Sequence, residues 1–348
     1  MRVAQCIRSD AFAGAERYVT NLAGGLTAAG CEVVVIGGHA DRMGLALAPA
    51  GVLWLPATTT SGVVRRLIAA RPFDIVHAHM TAAELAAVLA APLVRAPVVA
   101  TRHFAQRRGS SVPTRLIGRI VTPRLAAQLA ISRFVANRTE GPCTVVPPGT
   151  AVHTLASPEA PRQPVVLLAQ RLQPEKRADL GLRAWSGSGL ADRGWKLWIA
   201  GDGHERSALE ALAAQLGVAG SCSFLGERSD IDDLLLQASI FLAPRPDEPY
   251  GLSVVEAMAA GTAVVAASGG GHLETVGLVP GAALYAPEDT EEAGRLLAAL
   301  AGDPVRRARY GTALRDVHRR WFTIDEQVAA TLAVYDGLLS APAPAGSR

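Results

Sequence analysis

The chain has 348 residues, of which 49% are hydrophobic and 19% charged, and a formal net charge of +3. That length gives room for about two ordinary domains, the composition excludes disorder over most of it, and the charge is too small to imply a nucleic-acid partner. Cys6, Cys31, Cys143 and Cys222 are scattered without a CxxC pair, which suggests reduced thiols in a cytosolic protein.

Arg8 and Asp10 interrupt the opening "MRVAQCIRSD" before any apolar core forms, so no secretory signal is expected and the protein is placed in the cytoplasm. Short β-branched runs then alternate with helical stretches. "RVAQCI", "CEVVVIG", "FDIVHAH", "APVVATRH" and "CTVVPP" are predicted strands of a first half, with a helix from Gly14 to a glycine cap at Gly30. "TAAELAAVLAAPLV" carries Glu84 and Pro92 and reads as a buried helix, not a membrane span. "PVVLLAQ", "WKLWIAG", "CSFLG", "SIFLAP", "TAVVAAS" and "AALYAP" supply the strands of a second half. Near-continuous apolar strands separated by crossover helices predict parallel sheets covered on both faces. The fold class is therefore α/β, with two Rossmann-like doubly wound domains facing across a cleft. The seam is the proline-rich stretch 147–164, which puts a first domain at 1–155 and a second at 162–318. A C-terminal helix at 319–340 is expected to pack back on the first domain, and 341–348 reads as a disordered tail.

Two clusters carry chemistry. In "DEPYGLSVVEAMAAGTAVV" a strand, a loop and a helix start bring Glu248, the backbone N–H groups of Gly251, Leu252 and Ser253, and Glu256 to one place. Such a helix start attracts phosphate, and carboxylates accept well from paired sugar hydroxyls. The plainer reading makes Glu248 a partner of the helix dipole and Glu256 half of a salt bridge. In "LLAQRLQPEKRADLG", Arg171 and Lys176 flank a proline turn at a strand's carboxyl end, a pair suited to a diphosphate or simply solvated.

"AQRLQPEK", "WIAGDGHERSALEALAAQLGV", "EPYGLSVVEAMAAGTAVVAASGGGHLE" and "GDPVRRARYG" occur in the order seen in family 4 glycosyltransferases, and "FAGAERYVTNLAGG", "FDIVHAH" and "VVATRH" extend the resemblance to the first half. These are retaining enzymes of the two-domain GT-B architecture. The resemblance implies that Arg171 and Lys176 hold the donor's diphosphate, Glu256 the ribose and Glu248 the donor sugar, with His103 facing that sugar. It also carries Gly14, Glu16 and Glu274 to the substrate site, and implies no cofactor and no metal, the nucleotide sugar being a substrate. The acceptor stays open, with anionic and lipid-linked molecules both in view. Departures are Gln170 and Ala13 where the family has glycine, Pro148 in place of the usual asparagine, and His272 and Leu273 in the "GGIPE"-like segment.

Other readings are weaker. Gly201 and Gly203 imitate a dinucleotide fingerprint, but Arg206 stands where the third glycine belongs. His77 and His79 share a strand face without an obvious third ligand, so a structural or cleft-lining role is favoured over metal. A sugar-nucleotide epimerase of the same fold lacks a recognisable acid–base set. A catalytically silent nucleotide-binding relative would have no reason to keep Arg171, Lys176, Glu248 and Glu256. Residues 101–140 hold eight arginines against one acid, Glu140. That segment is either a solvated basic face or, through 107–125, a peripheral contact with an acidic membrane at its inner face.

Overall fold

The computed structural model describes residues 1–10, 12–108, 112–152 and 162–341, with backbone alone at 112–115. The chain divides into two compact units, residues 1–149 together with 324 onward, and residues 150–323. The first contains β1 (Arg2–Ile7), β2 (Glu32–Gly37), β3 (Leu53–Leu55), β4 (Ile75–His79), β5 (Val98–Arg102), β6 (Ala127–Ala130) and β7 (Thr144–Val145). They form one sheet in the order β3-β2-β1-β4-β5-β6-β7, every neighbouring pair parallel. The second unit contains β8 (Gln163–Ala169), β9 (Lys196–Ala200), β10 (Cys222–Gly226), β11 (Ala238–Ala243), β12 (Ala263–Ala267) and β13 (Ala283–Tyr285). Their order, β10-β9-β8-β11-β12-β13, is again all parallel.

The composition of the strands explains the arrangement. β4, β5, β11 and β12 are buried at every position, because crossover helices cover both faces of each sheet. Trp185 lies at the centre of the second core among Leu168, Leu182, Leu197 and Leu209, and its indole N–H donates to Ser221 Oγ at 3.0 Å. In the first core Val34, Ile36, Val63, Leu67, Val76 and Val98 close one face of the sheet. The helix Gly14–Ala28 ends as the sequence suggests, with Gly30 in the left-handed region at φ 87°.

The sequence put domain limits at 155 and 319; the structure has its divisions after Gly149 and after Thr323. The helix Pro304–Trp321 runs unbroken through residue 319, so it stays whole with the second unit, and the return to the first begins with the helix Ile324–Ser340. That helix packs against Gly14–Ala28, and Gln327 Oε1 accepts from the backbone N–H of Gly149 at 2.8 Å. Of the tail expected at 341–348, residues 342–348 lie outside the described residues. β3 and β6 were not anticipated.

The glycines that imitate a dinucleotide fingerprint have a packing role. Gly201 sits at φ 138°, and a Cβ there would fall 1.9 Å from the carbonyl oxygen of Gln170, so only glycine lets the loop after β9 lie against the loop after β8. Gly201→Ala should destabilise the second unit by about 1–3 kcal/mol, the usual range for an enforced backbone strain. An unchanged urea midpoint for this variant would contradict that packing.

Candidate active site

β8 and β11 are neighbours at the point where the strand order of the second sheet reverses. The segments that leave their carboxyl ends diverge there, which opens a crevice. After β8 come Gln170 and a single helical turn, Pro174–Lys176, before the helix Ala178–Gly187. After β11 a proline-punctuated loop carries Arg245 and Glu248 to the helix Leu252–Ala259. Between them lies a cavity with about 270 Å³ of free space, part of it open to solvent. Its floor is Phe241, Leu242 and Ala243, and its walls are Gln170, Lys176, Arg245, Glu248, Gly251, Ser253, Val254 and His272.

Charge is concentrated on one wall. Lys176 Nζ donates to Glu248 Oε2 at 2.7 Å, and Arg245 Nη1 lies 3.7 Å from the same oxygen. All three side chains are largely buried. Burial alone would raise the Glu248 carboxyl, but Lys176 and then Arg245 outweigh it, and the group is held below the usual carboxylate range. Gln170 Nε2 donates to the Lys176 carbonyl at 2.9 Å and so fixes the turn that presents the lysine.

The opposite wall is a helix start. Gly251 caps it at φ 90°, and a Cβ at that position would press to 3.2 Å from the His272 ring. The N–H groups of Val254 and Val255 turn back to the Gly251 carbonyl, while those of Leu252 and Ser253 have no partner within the helix. His272 is buried, and its Nδ1–H donates to the Ala267 carbonyl at 3.0 Å. Burial lowers its pKa despite the opposing pull of Glu248, so the ring is neutral with Nε2 as an acceptor.

The structure thus gathers Lys176, Glu248, Gly251 and Ser253 around one cavity and adds Gln170, Arg245 and His272, to which the sequence assigned no role. Other expected residues lie elsewhere. Arg171 does not line the cavity; its guanidinium is half exposed and pairs with Glu175 at 3.5 Å. Leu252 is half-buried beside the cap without lining the cavity, and Glu274 closes the short turn Gly270–Glu274. Glu256 is 4% exposed, one turn into its helix, and is not part of the cavity wall.

In the first unit Gly14 opens its helix with free space beside it. Glu16, expected at the substrate, is engaged locally in this structure: Oε2 accepts from the Ala13 N–H at 2.7 Å and Oε1 takes the Ser9 hydroxyl, a capping arrangement. His103 follows β5 and is 8% exposed, with Nε2 lying 3.1 Å from His79 Nδ1. The basic segment loses part of its surface charge. Arg108 is buried with Nε on Glu84 at 2.5 Å and Nη2 on Gln128 at 2.7 Å, and Arg102 is buried beside the same glutamate at 3.4 Å.

Residues 155–317 match the family described as Glycosyl transferases group 1, and residues 12–153 match Glycosyltransferase Family 4. A lipopolysaccharide core biosynthesis mannosyltransferase of Rhizobium leguminosarum bv. viciae is 28% identical over 279 residues, covering 76% of this chain and 78% of that one. A phosphatidyl-myo-inositol mannosyltransferase of Mycolicibacterium smegmatis is 27% identical over 365 residues, covering 94% and 92%. Among solved structures, Anabaena HepE in complex with UDP-glucose superposes with a TM-score of 0.80 at 20% identity, covering 96% of this chain and 100% of that one.

Burial pushes the pKa values of His77 and His103 down to about 3 and that of His79 well below its ordinary value. The unfolded chain takes up these protons below about pH 6.5, whereas the folded state does not. Stability of the first unit is therefore full above pH 6.5 and falls as pH drops toward 3, by about 1.4 kcal/mol per pH unit for each histidine. Calorimetry from pH 8 to pH 5 should show the transition of that unit moving down; equal stability at pH 5 and pH 7 would contradict neutral burial.

Proposed function

Because the chain belongs to family 4 of the glycosyltransferases, a class with two Rossmann-like units in the GT-B fold, we propose that the cavity of the second unit holds the nucleotide-diphosphate sugar whose sugar is transferred. The observation that carries this reading is the 2.7 Å contact between Lys176 and Glu248 at the point of strand-order reversal. A cation and a carboxylate side by side can divide one ligand between them, diphosphate to the first and sugar hydroxyls to the second. Arg245 adds a second cation within the wall, and the N–H groups of Leu252 and Ser253 add a helix start suited to phosphate. Arg171 joins them if its exposed side chain turns from Glu175. Glu256 is assigned to the ribose, and Gly14, His103 and Glu274 to the substrates, through the family resemblance. UDP-glucose is the first donor to test, since the Anabaena neighbour holds it.

In the proposed reaction the bond between the sugar's anomeric carbon and the diphosphate oxygen breaks, and negative charge develops on the departing diphosphate. Lys176 and Arg245 stabilise that charge. The acceptor oxygen attacks from the same face, which retains configuration, and its proton passes to the leaving phosphate oxygen. No side chain becomes covalently attached, and no resident cofactor or metal is needed when side chains supply the cations.

The acceptor is proposed to be anionic or lipid-linked, in keeping with the names of the two mannosyltransferase relatives. The helix Val112–Val121 exposes Leu116 and Ile120 beside Arg119, and the helix packed against it, Thr81–Val94, exposes Leu89 and Leu93. We assign this face to a peripheral contact with an acidic membrane from the cytoplasmic side. Among the described residues no helix is long and apolar enough to cross one.

Lys176→Ala should weaken UDP binding by about 10–100-fold, the range for one charge-assisted hydrogen-bond donor. Equal calorimetric affinity for the variant and the wild type would remove the lysine from the diphosphate site. Glu248→Ala frees Lys176, so UDP affinity should hold or rise while turnover of the donor collapses; parallel losses in both would refute the division of labour. Sedimentation with liposomes should retain the protein on acidic lipid at low salt, and Leu116→Ser with Arg119→Glu should release it. Equal partitioning onto neutral and acidic vesicles would rule the membrane face out.

A further inference from the structure

His103 ends a chain of buried hydrogen bonds that runs through the first unit to its last helix. His103 Nε2 lies 3.1 Å from His79 Nδ1, and His79 Nε2 lies 2.6 Å from Gln5 Oε1. Gln5 Nε2 donates to the Tyr335 hydroxyl at 3.1 Å. The same hydroxyl is 2.6 Å from His77 Nδ1, and His77 Nε2 is 2.7 Å from Thr101 Oγ1. Gln5, His77, His79 and Tyr335 are fully buried, and the Tyr18 ring stands edge-on to His103 at 4.8 Å, fixing its plane.

Such a chain is directional. A neutral imidazole has one N–H and one lone pair, and an amide has distinct donor and acceptor ends. In the arrangement observed, the Tyr335 hydroxyl accepts from Gln5 and gives its own proton to His77 Nδ1. His77 then donates from Nε2 to Thr101. With its amide nitrogen committed to Tyr335, Gln5 turns its oxygen to His79, which must donate from Nε2 and accept at Nδ1. His103 must then hold its proton on Nε2, which leaves Nδ1 as a lone pair. Turning the Gln5 amide over reverses every one of these roles and puts the His103 proton on Nδ1. Among the described residues His103 Nδ1 has no hydrogen-bond partner, so it is the nitrogen left for a ligand.

We propose that Tyr335 is a positioning residue for His103: acting through Gln5 and His79, it sets which ring nitrogen carries the proton and presents Nδ1 as an acceptor for a hydroxyl of the transferred sugar. The proposal rests on the reading that His103 acts on that sugar. Tyr335 lies 330 residues from Gln5 and belongs to the helix Ile324–Ser340, so the C-terminal segment reaches His103 through the first unit's own hydrogen bonds.

The test is read on the free, full-length protein. The chain has eight histidines, few enough to assign by single substitutions in long-range ¹H–¹⁵N spectra, which separate the two neutral tautomers. The wild type should show His103 as the Nε2–H form. Tyr335→Phe, which keeps the ring and removes only the hydroxyl, should bring up the Nδ1–H form to a comparable population. Turnover, followed as UDP release from UDP-glucose, should fall about 5–20-fold in kcat with KM within twofold. Gln5→Met cuts the same chain one link nearer His103, serves if Tyr335→Phe does not fold, and should give the same spectrum. The double variant should be no slower than the worse single one, because both act along one path. An unchanged His103 tautomer in both variants, or losses in kcat that multiply, would overturn the proposal. A His103→Ala variant with wild-type turnover would overturn its premise instead, and the spectrum of the free protein tells the two failures apart.

Discussion

A parallel sheet that starts in the middle and winds outward in both directions must part its connections where the order reverses. In the second unit this happens between β8 and β11, and the whole candidate site follows from it. The segment after β8 brings Lys176, that after β11 brings Glu248, Arg245 and a helix start, and that after β12 brings His272. None of these side chains needs a special loop to find the others; the topology delivers them. What sequence adds is fine placement, through a left-handed glycine at 251 and an amide at 170 that grips the turn of Lys176.

The first unit buries polar groups in two different ways on either side of His103. Toward the strands they are neutral, and Gln5, His77, His79, Thr101 and Tyr335 are linked to one another, which limits the penalty of unpaired buried donors and acceptors. Toward the loop they are charged: Arg102 and Arg108 share Glu84, Arg102 also reaches the Gln106 carbonyl, and the Arg108 N–H reaches Glu140. Burial lowers the Arg102 pKa while Glu84 pulls it back up. Removing one charge from such a set would strand the rest, so these arginines clamp the loop and are not free to meet a partner. His103 thus bonds to the neutral chain through His79 and follows directly on Arg102 of the ionic set.

The overall architecture was readable because parallel strands covered by helices on both faces give short apolar runs, and eleven runs stand out in the sequence. β3 and β6 did not. "LWL" is only three residues long, and "AQLA" has no β-branched residue and continues a helical-looking stretch, so only pairing with β2 and β5 makes them strands. Lys176 and Glu248 were legible from their place at strand ends. Arg245 was not, although it stands three residues before Glu248 between two prolines, because a lone arginine in a loop is usually solvated. Arg171 stands out by the same strand-end position as Lys176, whereas the structure leaves its side chain half exposed against Glu175. Glu16 shows a similar limit: an acid at the third position of a helix caps it as readily as it binds a ligand. The histidine chain was hidden for another reason, since it draws single residues from separate elements at opposite ends of the sequence.

The path of the polypeptide sets an order of events. The first seven strands are made before any residue of the second unit, yet Tyr335 and Gln327 emerge only after Thr323 has been added. During synthesis the early sheet must wait with Gln5 and His77 lacking their hydroxyl partner and with one side of Gly14–Ala28 uncovered. A ribosome-bound chain stopped before the helix Ile324–Ser340 would therefore hold an unfinished core.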